Sequence, residues 1–257
     1  MQVPITTLAI KIYSQGDIKL VEDFLKSKLK GLRVKTQICG TNLNNWVQAS
    51  ISGEDENVAL RYISEDVGTC PNTVEEIKKF SEMKGYIASI NKDEIMLDIG
   101  VSQPDLKVKL ELQHLQAQLV DGRKVALKKL AELYGFCEGL PLIIKVLSVN
   151  EKENSVEATL SERQLDMYSK WIKSLLDRLI VLGATREEIT LGLKVTKCTR
   201  DVVEIEPLGL FEHAVTCKLG TSAVGLIPKL GKRLQEAILA IFSPKEIIGF
   251  LGENQIL

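Results

Sequence analysis

The residues best suited to chemistry are concentrated between His213 and Leu234, in the sequence HAVTCKLGTSAVGLIPKLGKRL. His213 and Cys217 are four residues apart, so they share one face of a strand or a helix. A thiolate–imidazole pair could act as a nucleophile, but it also needs an orienting Asn or Asp and an oxyanion site. A zinc site needs three or four ligands, and His114 is the only other histidine. The pattern favours a buried cysteine and a structural histidine, and a cysteine enzyme remains an alternative.

Gly220 and Gly225 have the spacing of the glycines in a phosphate-binding loop. That loop also needs Lys and then Ser or Thr after the second glycine, because the backbone N–H groups and the lysine hold the phosphates together. Leu226 and Ile227 occupy those positions, so the pattern indicates a tight turn. Acidic pairs elsewhere alternate as on the solvated face of a strand. We therefore expect no catalytic residue, no metal site and no cofactor.

Two clusters of basic residues are more organised than these motifs. Both adjoin segments with β-strand patterns and have aromatic residues nearby, as a groove for a phosphate backbone requires. A solvated protein surface would show similar lysine runs, so that interpretation stays open. The first cluster is Arg123, Lys124, Lys128 and Lys129, and the second is Lys218, Lys229, Lys232 and Arg233. The aromatic residues expected to stack on bases are Tyr86, Tyr134 and Phe136.

The composition indicates a folded protein of more than one domain. Hydrophobic residues make up 45% and charged residues 26% of 257 residues, which is far from the composition of disordered chains. A net charge of -1 excludes a global positive field, so any basic surface must be local. The five cysteines form no C-x-x-C pair, which favours a reducing cytoplasm. The N-terminus lacks the pattern of a signal peptide, and the apolar segments near the end are too short to span a membrane.

The hydrophobic pattern predicts an α+β chain with three domains. Residues 1–79 form a small α+β domain in the order strand, helix, strand, strand, helix, because the spacing of apolar residues changes accordingly. Residues 80–163 form an OB-like β-barrel of five short strands, with a helical insertion. Residues 164–184 form an amphipathic connecting helix that ends at Gly183. Residues 185–257 form a β-rich domain, with strands at EEITLGLKVTKC and terminal helices from Leu230 onward that break at Pro244.

The central region resembles an OB-fold of the type found in ribosomal protein S1. The resemblance lies in GYIASINKDEIMLDIG and EGLPLIIKVLSVNEKENSVEATLSER and covers residues 82–163. It implies binding of single-stranded RNA by the second and third strands. Met96 and Leu97 stand where such domains have Phe or Tyr, so stacking on that strand is not expected. The C-terminal domain loosely echoes this barrel, and whether it is a second barrel stays open.

The whole chain is similar to an archaeal family of uncharacterised proteins called DUF2110, a domain of unknown function. The similarity is carried by EPLGLFEHAVTCKLGTSAVGLIPKLGKRL and by EGLPLIIKVL. It implies an archaeal, cytoplasmic origin and supplies no catalytic residues.

Two functional hypotheses follow. The first is a non-enzymatic RNA-binding protein of the translation, transcription or RNA-processing machinery, with RNA, ribosome or RNA polymerase components as partners and no membrane contact. In it, both basic clusters contact phosphates. The second is a scaffold that docks on such a machine without touching nucleic acid. It predicts an exposed apolar patch around Met167 and Trp171.

Overall fold

The computed structural model describes residues 5–101 and 106–252, in three domains. The N-terminal domain has the predicted order of elements, with a sheet of order β1-β3-β2 whose pairs are antiparallel. Leu8, Val21, Leu25 and Ile63 are among its buried core residues. Its elements are β1 (Ile5–Lys11), α1 (Asp17–Lys28), β2 (Val34–Thr41), β3 (Trp46–Gly53) and α2 (Glu56–Asp66).

The central domain is a closed five-stranded barrel of order β4-β5-β6-β8-β7, which confirms the predicted barrel. The β6–β8 pair is parallel and the other pairs are antiparallel, the arrangement that closes an OB-type barrel. Alternate residues such as Ile95, Leu97, Val108 and Leu110 fill its interior. Its elements are β4 (Glu82–Ile90), β5 (Glu94–Asp98), β6 (Lys107–Glu111), α3 (Leu112–Leu119), α4 (Leu127–Tyr134), β7 (Pro141–Asn150) and β8 (Ser155–Leu160).

The C-terminal domain is an open antiparallel sheet of order β10-β11-β9-β12, and it is not a second closed barrel. Helix α5, which follows β8, packs against β7 and α8. The remaining elements are α5 (Glu162–Ser174), β9 (Arg178–Leu182), α6 (Arg186–Val195), β10 (Val202–Pro207), β11 (Glu212–Cys217), α7 (Ile227–Leu230), β12 (Ile238–Phe242) and α8 (Pro244–Leu251).

Three predicted elements of this region are wrong. The connecting helix ends at Ser174, because Leu175 adopts a left-handed backbone conformation, and RLIVL is strand β9. The segment predicted as strand EEITLGLKV is helix α6, since Thr185 and Glu188 form a reciprocal capping box at its start. The segment before Pro244 contains strand β12, and the terminal helix α8 begins at that proline.

The C-terminal sheet is covered on both faces. Leu179 and Val181 of β9 pack into a hydrophobic core beneath α6 and α7. Leu230 of α7 belongs to the same core. Ile180 and Leu182 of the same strand face the barrel. Strand β9 is therefore buried along its whole length and lacks the alternation of an exposed strand.

Gly135 ends helix α4 where the helix meets strand β12. Its φ is +68°, and an added Cβ would lie 2.7 Å from the backbone oxygen of Ile241. We expect Gly135→Ala to lower the free energy of unfolding by at least about 2 kcal/mol, since backbone strain and a backbone clash combine. Gly122→Ala is the matched control, because Gly122 has φ +75° but open space around it, and should cost about 1 kcal/mol. Urea denaturation measures the free energy of unfolding of both variants. Equal losses of stability would contradict the close contact between Gly135 and Ile241.

Candidate nucleic-acid interface and interdomain cleft

Residues of the second basic cluster adjoin segments of the C-terminal domain that carry three cations missed by sequence reasoning. Helix α6 packs on α7, and an added Cβ at Gly192 would lie 4.0 Å from the Cβ of Arg233. The backbone N–H of Lys218 donates to the carbonyl oxygen of Asp201 at 2.7 Å, next to Arg200. We call this the C-terminal basic surface; it comprises Lys194, Lys197, Arg200, Lys218, Lys229, Lys232 and Arg233, all exposed.

The cations of the C-terminal basic surface have no carboxylate partners. Within the described ranges, no salt bridge involves any of the seven. The nearby carboxylates are those of Asp201, of Glu236 just beyond Arg233, and of Asp177, which accepts a hydrogen bond from the backbone N–H of Ala223 at 3.3 Å. The surface therefore carries a concentrated positive charge, although the whole chain has a net charge of -1.

The first basic cluster is smaller than predicted. Arg123 donates to the carbonyl oxygens of Phe250 at 2.8 Å and Leu251 at 2.6 Å, so it holds the end of α8. This contact gives Arg123 a structural role that the sequence did not predict. Lys129 is 3.5 Å from Glu132, while Lys124 and Lys128 are exposed without a described ion pair.

Helices α4 and α7, which carry parts of the two clusters, lie on opposite sides of the C-terminal sheet. Helix α4 packs through Leu130 into the core that contains Ile180. Helix α7 packs through Leu230 into the core that contains Leu179. Because neighbouring residues of a strand face opposite sides, the sheet separates Lys128 and Lys129 of α4 from Lys229 of α7.

The three predicted stacking residues are buried, which corrects their assignment. Tyr86 is 1% exposed and contacts Trp46 edge to face, and Tyr134 and Phe136 are 2% and 6% exposed. The latter two stack on each other within an aromatic cluster with Tyr168 and Phe242. None of the three can offer a ring face to a base without unfolding its core.

The outer face of β5 and β6, where an OB-fold commonly binds RNA, is neither aromatic nor strongly basic. Leu97 points into the barrel and Met96 is half-buried on the outside. Lys109 makes ion pairs with Glu111 at 2.9 Å and Glu157 at 3.5 Å. The mixed charge of this strip gives a polyanion little net attraction.

Cys217 and His213 are both buried on strand β11. Burial raises the pKa of the Cys217 thiol to about 11, and Asp177 and Asp201 act in the same direction. The thiolate needed for the cysteine-enzyme alternative is therefore disfavoured. His213 is 3% exposed, and its Nδ1 has no hydrogen-bond partner among the described residues. Burial lowers the pKa of His213, and a hydrogen bond between its ring and the backbone of Ala184 opposes this shift.

The apolar patch that a scaffold would present around Trp171 is absent from the described surface. Trp171 is buried against Phe242, and its indole N–H donates to Glu206 at 3.0 Å. Met167 is half-buried beside it. No helix in the described ranges is long and apolar enough to cross a membrane.

Glu212 joins all three domains. The hydroxyl of Tyr13 donates to its Oε1 at 2.9 Å, and the hydroxyl of Tyr86 lies 3.3 Å from its Oε2. Tyr13 follows β1 of the N-terminal domain, Tyr86 lies on β4 of the barrel, and Glu212 begins β11 of the C-terminal domain. Burial raises the pKa of Glu212 to about 7, although Tyr13, Lys84 and Tyr86 oppose the shift.

A cleft lies beside Glu212 and has two connected chambers that share Lys84 and Arg163. The larger, the α5 chamber, has a volume of about 870 Å³ and is lined by residues of α2, β4, α5 and β10. The smaller, the α6 chamber, has a volume of about 600 Å³ and is lined by residues of α1, by the start of α6 and by His213. Both volumes lie within or near the range of small-molecule sites.

Three family models match successive parts of the chain. The DUF2110 N-terminal domain matches residues 5–73, the DUF2110 central domain residues 78–172, and the DUF2110 C-terminal domain residues 176–242. No curated protein matches the chain.

Several solved structures resemble parts of the fold. One is the intact alpha subunit of aIF2 from Pyrococcus abyssi, with 9% identity over 65% of this chain and 97% of that chain and a TM-score of 0.28. Another is an a/eIF2alpha–aDim2p–rRNA complex from Pyrococcus horikoshii OT3, with 10% identity, 49% and 70% coverage and a TM-score of 0.27. A third is the uncharacterized protein MJ1198 from Methanocaldococcus jannaschii, with 10% identity, 34% and 96% coverage and a TM-score of 0.24. At these identities and scores, the matches do not indicate a shared function.

Proposed function

Because this chain belongs to the DUF2110 family and joins an OB-like barrel to an exposed basic surface, we propose that it is a non-enzymatic RNA-binding protein. We place it in the cytoplasm of an archaeon, in the translation, transcription or RNA-processing machinery. The observation that carries the proposal is the C-terminal basic surface, with seven exposed cations and no described ion pair among them.

Unpaired cations favour a polyanion for a simple electrostatic reason. Binding a phosphate backbone releases the counterions condensed on it, and each contact adds to the affinity. Surface cations that already pair with carboxylates would first have to exchange partners. The C-terminal basic surface does not incur that cost.

The mode of binding follows from the side chains present. The C-terminal basic surface has no aromatic residue, and the predicted aromatic candidates are buried. Contacts to phosphates carry little sequence information, whereas contacts to base edges and stacking do. We therefore expect weak dependence on RNA sequence. Lys124, Lys128 and Lys129 form a second, separate contact region.

A protein partner is the second candidate function. Leu191, Val195, Leu219 and Val224 are exposed on the same segments as the C-terminal basic surface. Cations mixed with aliphatic side chains also suit an acidic, partly apolar protein segment. Such a partner would bind with an affinity that depends less steeply on salt than that of RNA.

Fluorescence anisotropy of a labelled single-stranded RNA at several salt concentrations tests the proposal. If four to seven cations engage phosphates, the logarithm of affinity should fall with the logarithm of salt concentration with a slope of roughly -3 to -5. No binding at low salt would overturn RNA binding and favour the protein partner. A slope near zero would exclude the C-terminal basic surface as the contact.

A further inference from the structure

The α6 chamber has the charge of an anion site. Four cationic side chains and two carboxylates line it, whereas four cationic side chains and six carboxylates line the α5 chamber. One of the two carboxylates, that of Asp66, is already 2.8 Å from the ammonium of Lys28. Positive charge is therefore concentrated on the α6 side of the cleft.

Two of these cations form no direct ion pair with a described carboxylate. The ammonium of Lys84 and the guanidinium of Arg163 form no hydrogen bond or ion pair with any described residue. Burial lowers the pKa of Lys84; Glu212 opposes this shift and Arg163 adds to it. A half-buried lysine beside an arginine is stabilised when an anion binds between them.

The start of helix α6 supplies backbone donors to the same chamber. Thr185 and Glu188 satisfy each other in the capping box, but the backbone N–H groups of Arg186 and Glu187 have no acceptor among the described residues. Free N–H groups and the dipole of this ten-residue helix attract an anion, whereas the carboxylates of Glu187 and Glu188 in its first turn oppose that attraction.

His213 is an independent indication of a ligand. It lines the α6 chamber, is 3% exposed, and its Nδ1 has no partner among the described residues. An unsatisfied buried polar atom is costly, and most such atoms in native proteins have a partner. A phosphate oxygen in the chamber would accept a hydrogen bond from Nδ1 when this nitrogen carries a proton.

Apolar side chains also line the α6 chamber, and the ammonium of Lys28 lies 5.5 Å from the centre of the Phe24 ring. Leu20 and Phe24 of helix α1 and Leu210 of the loop before β11 line the same chamber. Its volume of about 600 Å³ is larger than a phosphate ion requires and suits a ligand of nucleotide size. We propose that the α6 chamber binds a nucleoside monophosphate, with the phosphate at the start of α6 beside Arg163 and His213 and the base against Phe24.

This site is distinct from the C-terminal basic surface, since it lies at the other end of α6. The ligand is either a free nucleotide or the 5′-phosphorylated end of an RNA, because both carry the same phosphate monoester. AMP is a suitable probe, with inorganic phosphate and adenosine as probes of its two halves.

Calorimetric titration of the full chain tests the site. We expect AMP to bind at least 10-fold more tightly than inorganic phosphate or adenosine. The substitution Arg163→Gln should lower the affinity for AMP at least 10-fold. Lys170→Gln is the matched control, because Lys170 lines only the α5 chamber and should leave the affinity within twofold. Absence of AMP binding at millimolar concentration, or equal losses in both variants, would overturn the proposal.

The imidazole of His213 gives a readout that does not need a variant. Its ring nitrogen resonances should shift on addition of AMP, while those of His114 on α3, the only other histidine, should not. AMP binding without a shift at His213 would place the ligand elsewhere and overturn the site.

Competition against AMP distinguishes the two sources. The competitors are 5′-phosphorylated and 5′-hydroxyl RNAs of one sequence. The protein is a variant in which the cations of the C-terminal basic surface are replaced with Glu. Competition by the phosphorylated RNA alone assigns the site to RNA ends, and competition by neither assigns it to free nucleotides; both outcomes support the phosphate site. Equal competition by both RNAs would overturn it. AMP binding does not involve the basic surface, so this site and RNA binding can fail separately.

Discussion

Reversing four cations of the C-terminal basic surface should weaken RNA binding about 100- to 1000-fold at 0.1 M salt. The variant replaces Lys218, Lys229, Lys232 and Arg233 with Glu. Each lost phosphate contact on single-stranded RNA removes about 0.7 from the salt slope, so the slope should become shallower by about 3. The side chains are exposed, so the fold should tolerate the change. Anisotropy titrations at several salt concentrations measure both quantities.

A control with the same change of net charge separates local contact from overall repulsion. It replaces four exposed lysines without described ion pairs, Lys19, Lys30, Lys35 and Lys92, with Glu. This variant should keep most of the affinity and the original slope. If both variants lose the same affinity, the C-terminal basic surface is not the binding site. A third variant with Lys124, Lys128 and Lys129 replaced by Glu measures the separate region on α4.

The stability of the protein should fall by about 3 kcal/mol between pH 4.5 and pH 7 because of Glu212 alone. Its pKa rises from an ordinary value of 4.5 to about 7 in the folded state, chiefly through burial. Below pH 4.5 both states are protonated, and the full stability is present. Between the two values the unfolded chain loses its proton while the folded chain keeps it, so rising pH favours unfolding. Above pH 7 the loss is complete.

Glu212→Gln isolates this effect, because Gln cannot ionise. The difference in unfolding free energy between wild type and variant, from urea denaturation at each pH, cancels the contributions of other groups. It should change by about 3 kcal/mol across the window in favour of the variant at high pH. A difference that is constant with pH would show that Glu212 ionises normally.

Tyr13→Phe is a further test of the same junction. The hydroxyl of Tyr13 donates to Glu212 and lowers its pKa, opposing burial. Its removal should raise the pKa of Glu212 further and extend the loss of stability to a higher pH. If the pH range over which stability is lost moves to lower pH in this variant, the hydrogen bond from Tyr13 to Glu212 is contradicted.

The sequence alone determined the elements whose patterns are local. Alternating apolar residues in EIMLDIG and KVKLEL point to one side of a sheet, so they predicted the barrel strands without knowledge of their neighbours. Helical spacing at Val21 and Leu25 likewise predicted α1. The resemblance to DUF2110 rested on quoted segments of the chain, and the family models confirm it.

The tertiary structure decided the elements that are buried on both faces. RLIVL is apolar at every position but its first, and such a run is compatible with a helix or a strand. It is a strand because β11 and β12 pair with it on both edges, while helices and the barrel cover its faces. The capping box at Thr185 was present in the sequence and could have identified α6.

The tertiary structure also decided which side chains face solvent and which residues meet. Tyr86 and Tyr134 are of a residue type that stacks on bases, but packing between domains buries both side chains. The α6 chamber assembles Lys84, Arg163 and His213 from three distant segments. Local spacing determines the face of an element, whereas a cleft depends on the distances between elements. Those distances are set by domain packing, which no local pattern encodes.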